Sequence, residues 1–217
     1  FVALRGENFD GHTFIGDAIA RGAIAVVVDK AYAQTAPSLA IPTFVVDNTE
    51  TALGDLAAAY RRRIHKPVVG VTGSNGKTTT KEFLHSFLQG KWTSVLKTEG
   101  SQNGFIGIPM TLLELRSHHQ AAVVEIGIDD VGTMGPHLEC VQPTHAVLTA
   151  IGPEHLEKLV DVPTVAEEET LSLKWTAAHN GWVSINLDDP WIRPLAGALW
   201  TSKKAIYSLS KTPAPKE

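Results

Sequence analysis

The sequence predicts an α/β protein: a small N-terminal α/β unit, then a larger unit with a mostly parallel sheet flanked by helices. Short β-branched runs alternate with helical segments along the chain, the order expected of parallel sheets covered by helices. Val68-Val69-Gly70-Val71 and Ala121-Ala122-Val123-Val124 are almost continuously apolar, as strands buried on both faces are. His65-Lys66-Pro67 interrupts the pattern just before the first of these runs, so the domains are read as 1–65 and 66–217.

The strands expected in order are Ile24 to Val28, Thr43 to Val46, Val68 to Thr72, Ala121 to Ile126, His145 to Ala150 and Trp182 to Asn186. A helix from about Thr51 to Ile64 carries Leu53, Leu56, Ala57 and Tyr60 on one face. Its end, Arg61-Arg62-Arg63, reads as dipole compensation and solvated surface. Phe1-Val2-Ala3-Leu4 enters directly into a strand-like run. Ala205 to Ser210 resembles a last strand, followed by a Pro-containing polar tail from Thr212 to Glu217. The chain is therefore expected to be a fragment of a longer protein.

Composition narrows the function classes. The 217 residues are 43% hydrophobic and 19% charged, which is ordinary for a folded domain and unlike a disordered chain. The net charge, 19 − 23 = −4, with no basic block beyond Arg61-Arg62-Arg63, argues against nucleic acid as a partner. The single cysteine, Cys140, excludes an internal disulfide and a Cys-based zinc site, and suits a reducing compartment. No apolar run reaches the ~18 residues of a membrane span. A cytoplasmic monomer is expected.

The stretch that carries chemistry is Thr72-Gly73-Ser74-Asn75-Gly76-Lys77-Thr78-Thr79, between an apolar strand and a helix with Phe83, Leu84, Phe87 and Leu88. This is the strand–loop–helix context of a P-loop, so the second unit is read as a P-loop-type central domain. Gly73 and Gly76 let successive N–H groups face phosphate oxygens at the positive end of a helix. Lys77 would meet the β/γ-phosphates and the Thr78 hydroxyl Mg2+. The spacing departs from the usual motif, because Val71 stands where the first glycine belongs. A glycine turn that merely joined strand to helix would not need Lys and Thr after its second glycine.

Thr72 to Glu82 resembles the ATP loop of the Mur ligases, the ATP-dependent amino-acid ligases of peptidoglycan synthesis. Phe1 to Phe14 resembles the N-terminal uridine-nucleotide domain of that family, and Ile106 to Leu113 its central domain. The Ser-Asn loop followed by Lys-Glu is most similar to members that join a D-amino-acid dipeptide, D-alanyl-D-alanine, to a UDP-linked muramoyl tripeptide. The resemblance implies ATP and Mg2+ as cofactors and those two compounds as substrates. It assigns ATP contact to Gly73, Ser74, Asn75, Gly76, Lys77, Thr78, Thr79 and Asn186, and substrate contact to Asp10, Gly11, His12, Ser101 and Asn103. It also implies a C-terminal domain absent from this chain.

Glu125 ends a buried strand and would emerge at the carboxyl edge of a parallel sheet, where ligands bind. The matching family glutamate holds a metal beside ATP, and the alternative is a carboxylate capping the next helix. His155 follows another apolar strand, and its family counterpart is a ligand of a second metal, although His on Mg2+ is atypical. The metal set is then Thr78, Glu125 and His155, and the catalytic set Lys77, Glu125, His155 and Glu169. His12, His118, His119, His137 and His145 show no comparable spacing and read as surface or packing residues.

Glu169 departs from the family, which has a carbamylated lysine fourteen residues after His155. The anion survives on a shorter stem, and the alternative is a solvated acidic turn in Glu167-Glu168-Glu169. Asp129-Asp130 and Ser101-Gln102-Asn103-Gly104-Phe105 also differ from the family pattern, which bears on the tripeptide contacts. A paralogous ligase with another acceptor and a nucleotide-binding protein without turnover stay open. A simple phosphohydrolase or GTPase switch is disfavoured by the absence of an Asn-Lys-x-Asp motif.

Overall fold

The computed structural model describes residues 1–6, 8–35, 38–199 and 203–208. Leu209 and Ser210 of the expected last strand, and the tail from Thr212, lie outside them. The described chain divides into two compact units, Phe1–Leu56 and a second that begins at Ala57.

In the first unit a 3-10 turn at Gly11–Phe14 leads into α1 (Ile15–Ala20), followed by β1 (Val26–Asp29), α2 (Lys30–Thr35) and β2 (Thr43–Val46). β1 and β2 pair in parallel, Val26 opposite Thr43. Ala3, Ile15, Val26 and Val28 form the core, with Tyr32, Leu39 and Ile41 against it. α3 (Thr49–Arg62) begins here, two residues earlier than expected, with Asn48 Oδ1 accepting from the N–H groups of Glu50 and Thr51. Of its expected apolar face, Leu53 is buried but Leu56 is exposed.

The second unit continues with β3 (Val68–Thr72), α4 (Lys77–Gln89), β4 (Val95–Lys97), α5 (Gly107–Leu113), β5 (Ala121–Glu125), α6 (Met134–Val141) and β6 (His145–Leu148). α7 (Leu156–Leu159), α8 (Val162–Ala178), β7 (Trp182–Asn186), α9 (Leu195–Ala198) and β8 (Lys203–Tyr207) follow. The strands form one six-stranded sheet, β4-β5-β3-β6-β7-β8, parallel at every pairing. β4 is an additional strand that sequence analysis did not anticipate. Three residues are too few for a periodicity to register.

Period-two alternation sorts the sheet's side chains. Val71, Val95, Ala121 and Val123 face α4 through Leu84 and Leu88, whereas Val68, Leu96, Ala122 and Val124 pack with Ile108, Leu112, Met134, Leu138 and Val165 of α5, α6 and α8. Both faces are covered, and for that reason β5 is apolar at every position up to Glu125. Arg61 corrects the solvated reading of the basic end of α3. It is buried, and its guanidinium donates to the carbonyls of Ile64, Val141 and Gln142 at 2.5 to 3.0 Å. The planar fork can satisfy several orphan carbonyls at once. Among the described residues no helix is long and apolar enough to cross a membrane.

Candidate functional site

β3 lies at the centre of the sheet with β5 and β6 on either side, so the chain leaves it in both directions and opens a crevice at the carboxyl ends of the strands. The loop 73–76 leaves β3 into that crevice. Gly73 has φ +119°, and a Cβ there would meet Thr149 Oγ1 at 2.3 Å and the Ala150 carbonyl at 2.9 Å, so only glycine fits. Thr149 closes the loop from β6's end, its hydroxyl donating to the carbonyls of Thr72 (3.1 Å) and Asn75 (2.7 Å). Gly76, also at positive φ, precedes α4 with no side-chain cap. Thr80 N–H bonds back to Gly76, which leaves the N–H groups of Lys77, Thr78 and Thr79 without intrahelical acceptors. A positive helix end with free donors therefore faces the crevice, and Thr78 and Thr79 are exposed on it.

Ser74 is used differently. Its N–H donates to Ala150 O (2.8 Å), and its hydroxyl donates to Gly152 O (3.0 Å) and accepts from Gly152 N–H (2.9 Å). It buttons the loop to the segment after β6. Asn75 is exposed beside Gly152. Asn186 is likewise committed, donating to Thr149 O and accepting from Asp188 N–H at the end of β7.

Lys77 Nζ donates to Gly73 O (2.5 Å) and to Glu154 Oε2 (3.2 Å). Beneath it Glu169 is fully buried, which removes the solvated-turn alternative. The Thr72 hydroxyl donates to Glu169 Oε2, while Glu169 Oε1 and Glu154 Oε1 are buried without hydrogen-bond partners among the described residues. Burial, with the nearby Glu154 adding to it, pushes the Glu169 carboxyl up to about 8. Neighbouring Glu168 turns the other way and accepts from the N–H groups of Gly132 and Met134, capping α6.

Glu125 closes β5, 1% exposed. Its N–H donates to Thr98 Oγ1, and its Oε1 accepts from Asn103 Nδ2 at 2.8 Å. Asn103 can approach Glu125 because the residue two beyond the glutamate is Gly127, where a Cβ would collide with the Asn103 amide at 2.9 Å. Among the described residues Glu125 Oε2 has no hydrogen-bond partner, and Lys81 Nζ stands 3.5 Å away. An orphaned, buried, hard carboxylate oxygen at this edge fits a divalent cation. His155 lies in the segment between β6 and α7, at positive φ and half exposed, with Nε2 3.8 Å from Asp129 and Nδ1 3.6 Å from Glu157. Among the described residues no three His, Cys, Asp or Glu side chains gather as a metal cage. Ser101 is exposed, its carbonyl accepting from Asn103 N–H.

In the first unit, His12 is 4% exposed and stacks on Tyr32. Its Nε2 accepts from Asp29 N–H, so Nδ1 carries the proton and donates to Asp10 Oδ1 at 2.6 Å. Arg5 bridges Asp10 and Asp29, and Gly11 N–H donates to Leu4 O. Asp10, Gly11 and His12 thus build the unit's framework, with the Asp10 carboxylate as their more exposed edge.

Sequence reasoning missed Thr72, Thr98, Lys81, Thr149 and Glu154. Lys81 follows Lys77 by one helical turn and Glu154 adjoins His155, but neither spacing reveals burial or a long-range partner.

Comparison with known proteins gives matches over both units. Residues 1–61 match the family model described as "Mur ligase family, catalytic domain" and residues 71–215 that described as "Mur ligase middle domain". A UDP-N-acetylmuramoyl-tripeptide–D-alanyl-D-alanine ligase of Synechocystis sp. is 36% identical over 96% of this chain and 45% of its own length. The Bacillus subtilis ligase of the same description is 40% identical over 77% of this chain and 36% of its own. The MurF ligase of Thermotoga maritima, solved in complex with ADP, superposes with a TM-score of 0.82 at 30% identity, over 96% of this chain and 47% of its own. The chain spans less than half the length of these relatives.

Proposed function

Because the chain belongs to the Mur ligase family, we propose that it forms the nucleotide-binding part of a UDP-N-acetylmuramoyl-tripeptide:D-alanyl-D-alanine ligase. That enzyme uses ATP to make an amide and releases ADP and phosphate in the cytoplasm. The observation that carries the reading is the placement of the lysine that follows the loop on β3, Lys77, and of a buried carboxylate, Glu125, at the carboxyl ends of two neighbouring strands of a parallel sheet. The domain division near residue 65 belongs to the same reading, since the two family matches stop at 61 and resume at 71.

Joining a carboxylate to an amine in water is uphill, so the carboxylate is activated first as an acyl phosphate. The free donors at the start of α4 bind the phosphates, and Lys77 leaves Glu154 to neutralise charge on the transferring phosphoryl group. Catalysis here is mainly positioning and electrostatics. Thr78 and Glu125 would hold Mg2+, which supplies charge neutralisation and a template for the phosphates. His155, which lies between Asp129 and Glu157, would be the ligand of a second metal ion. Glu169 acts through Thr72 and Glu154, setting the floor of the loop rather than standing in for a carbamate at the surface. The dipeptide amine then displaces phosphate.

The test is ADP release by the intact protein with Mg2+ and ATP, adding the UDP-muramoyl tripeptide and D-alanyl-D-alanine separately and together. ADP that needs both, with the pentapeptide found by mass, supports the proposal. ATP binding without turnover on either pair, or turnover only with another amine, overturns the assigned substrates. A Lys77→Met variant is expected to lose nucleotide binding.

A further inference from the structure

Resting on the reading of Glu125 as a carboxylate of the Mg2+–nucleotide site, we propose that Lys81 is a positioning residue. Its ammonium ties Glu125 and the 99–104 loop to the helix that carries Lys77. Lys81 is fully buried, a placement lysine takes only when its charge is matched. Its Nζ donates to Gly100 O at 2.5 Å and lies 3.5 Å from Glu125 Oε2 and 3.4 Å from Glu82 Oε1. Glu82 already has Lys97 at 2.6 Å, so it does not require Lys81. Glu125 Oε2 has no hydrogen bond of its own among the described residues.

The arrangement links the parts of the site. Asn103 holds one carboxylate oxygen and Lys81 stands against the other, while Gly100 and Asn103 belong to the same loop. Lys77 and Lys81 are one turn apart on α4, so they lie on one helix face. Lys77 reaches the loop on β3 and Lys81 the carboxylate on β5. One rigid helix thereby sets the distance between the phosphate lysine and Glu125. A methionine would fill the same channel, so packing alone does not explain an ammonium there. Partners that orient a metal-binding carboxylate contribute about tenfold to hundredfold to metal affinity.

The experiment is a Mg2+ titration of binding of a fluorescent ATP analogue to the intact protein, for wild type, Lys81→Met, Glu125→Gln and the double variant. Lys81→Met is expected to raise the Mg2+ midpoint roughly tenfold or more, with analogue binding in EDTA unchanged. The double variant is expected to match Glu125→Gln alone, because Lys81 acts through Glu125. Shifts that add in the double variant, or a shift in Glu125→Gln with none in Lys81→Met, overturn the proposal. No shift in Glu125→Gln overturns the reading beneath it instead. If Lys81→Met does not fold, the charge-neutral double variant decides: a midpoint equal to that of Glu125→Gln supports the role, and a higher one removes it.

Discussion

Glu154 Oε2 accepts from the ammonium of Lys77 at 3.2 Å, with both side chains largely buried. The lysine expected to meet phosphate is therefore already paired with a carboxylate, and on the proposed reading a nucleotide competes with it. Replacing Glu154 by Gln weakens the competitor while keeping its volume. ADP is expected to bind Glu154→Gln tighter by about 1 kcal/mol, roughly fivefold in Kd. Calorimetric titration checks this, and unchanged or weaker binding would mean that Glu154 assists the phosphate site rather than competing with it.

Glu169 makes the nucleotide-free fold sensitive to pH. Unfolded, its carboxyl titrates near 4.5, and folded, near 8, because burial disfavours the anion. Between those values the native state keeps a proton that the unfolded state has released. The group's contribution is therefore most favourable below pH 4.5 and declines toward pH 8, by about 1.4 kcal/mol per unit within the window. Glu169→Gln, which still accepts from Thr72, should flatten this slope and raise stability at pH 7.5. Urea melts from pH 5 to 8.5 measure both, and parallel slopes for the two proteins would sink the assignment.

Gly73→Ala should disable the loop. Its positive φ adds backbone strain, and its Cβ would run into Thr149 Oγ1 and the Ala150 backbone. A destabilisation of more than about 2 kcal/mol is expected, along with loss of ADP binding. Thermal melts and ADP titration of the purified variant test this, and a variant that binds ADP normally contradicts it.

His12→Ala removes an acceptor from Asp29 N–H, a donor from Asp10 and a ring from Tyr32 in one step. The expected loss is about 2 kcal/mol in the first unit, visible as faster hydrogen exchange at the Asp29 amide. Exchange at the wild-type rate would show that the ring is dispensable there.

The periodicity of the chain was enough to establish most of the architecture. Uninterrupted apolar runs at 68–71 and 121–124 fit strands buried on both faces, and the 72–79 turn between strand and helix is a candidate anion site on local chemistry alone. The place of Glu125 at the carboxyl end of β5 was legible for the same reason, as a charge at the end of a run with no other polar residue.

What depended on the tertiary structure is the partner of each polar side chain. Arg61 and Arg62 are adjacent arginines at a helix end, and only packing against the C-terminal end of α6 makes the first a buried cap. Phe83 and Leu84 are both apolar on α4, yet the sheet covers Leu84 and leaves Phe83 70% exposed. Glu168 and Glu169 are neighbours in sequence, but a helix turns them about 100° apart, one onto the N-terminus of α6 and the other under the loop at Thr72. Lys81 meets Glu125 across 44 residues of chain, a distance that local spacing cannot span. Hydrophobic period is a property of neighbouring residues and survives in one dimension, whereas pairing of buried charge depends on which strands the sheet sets side by side.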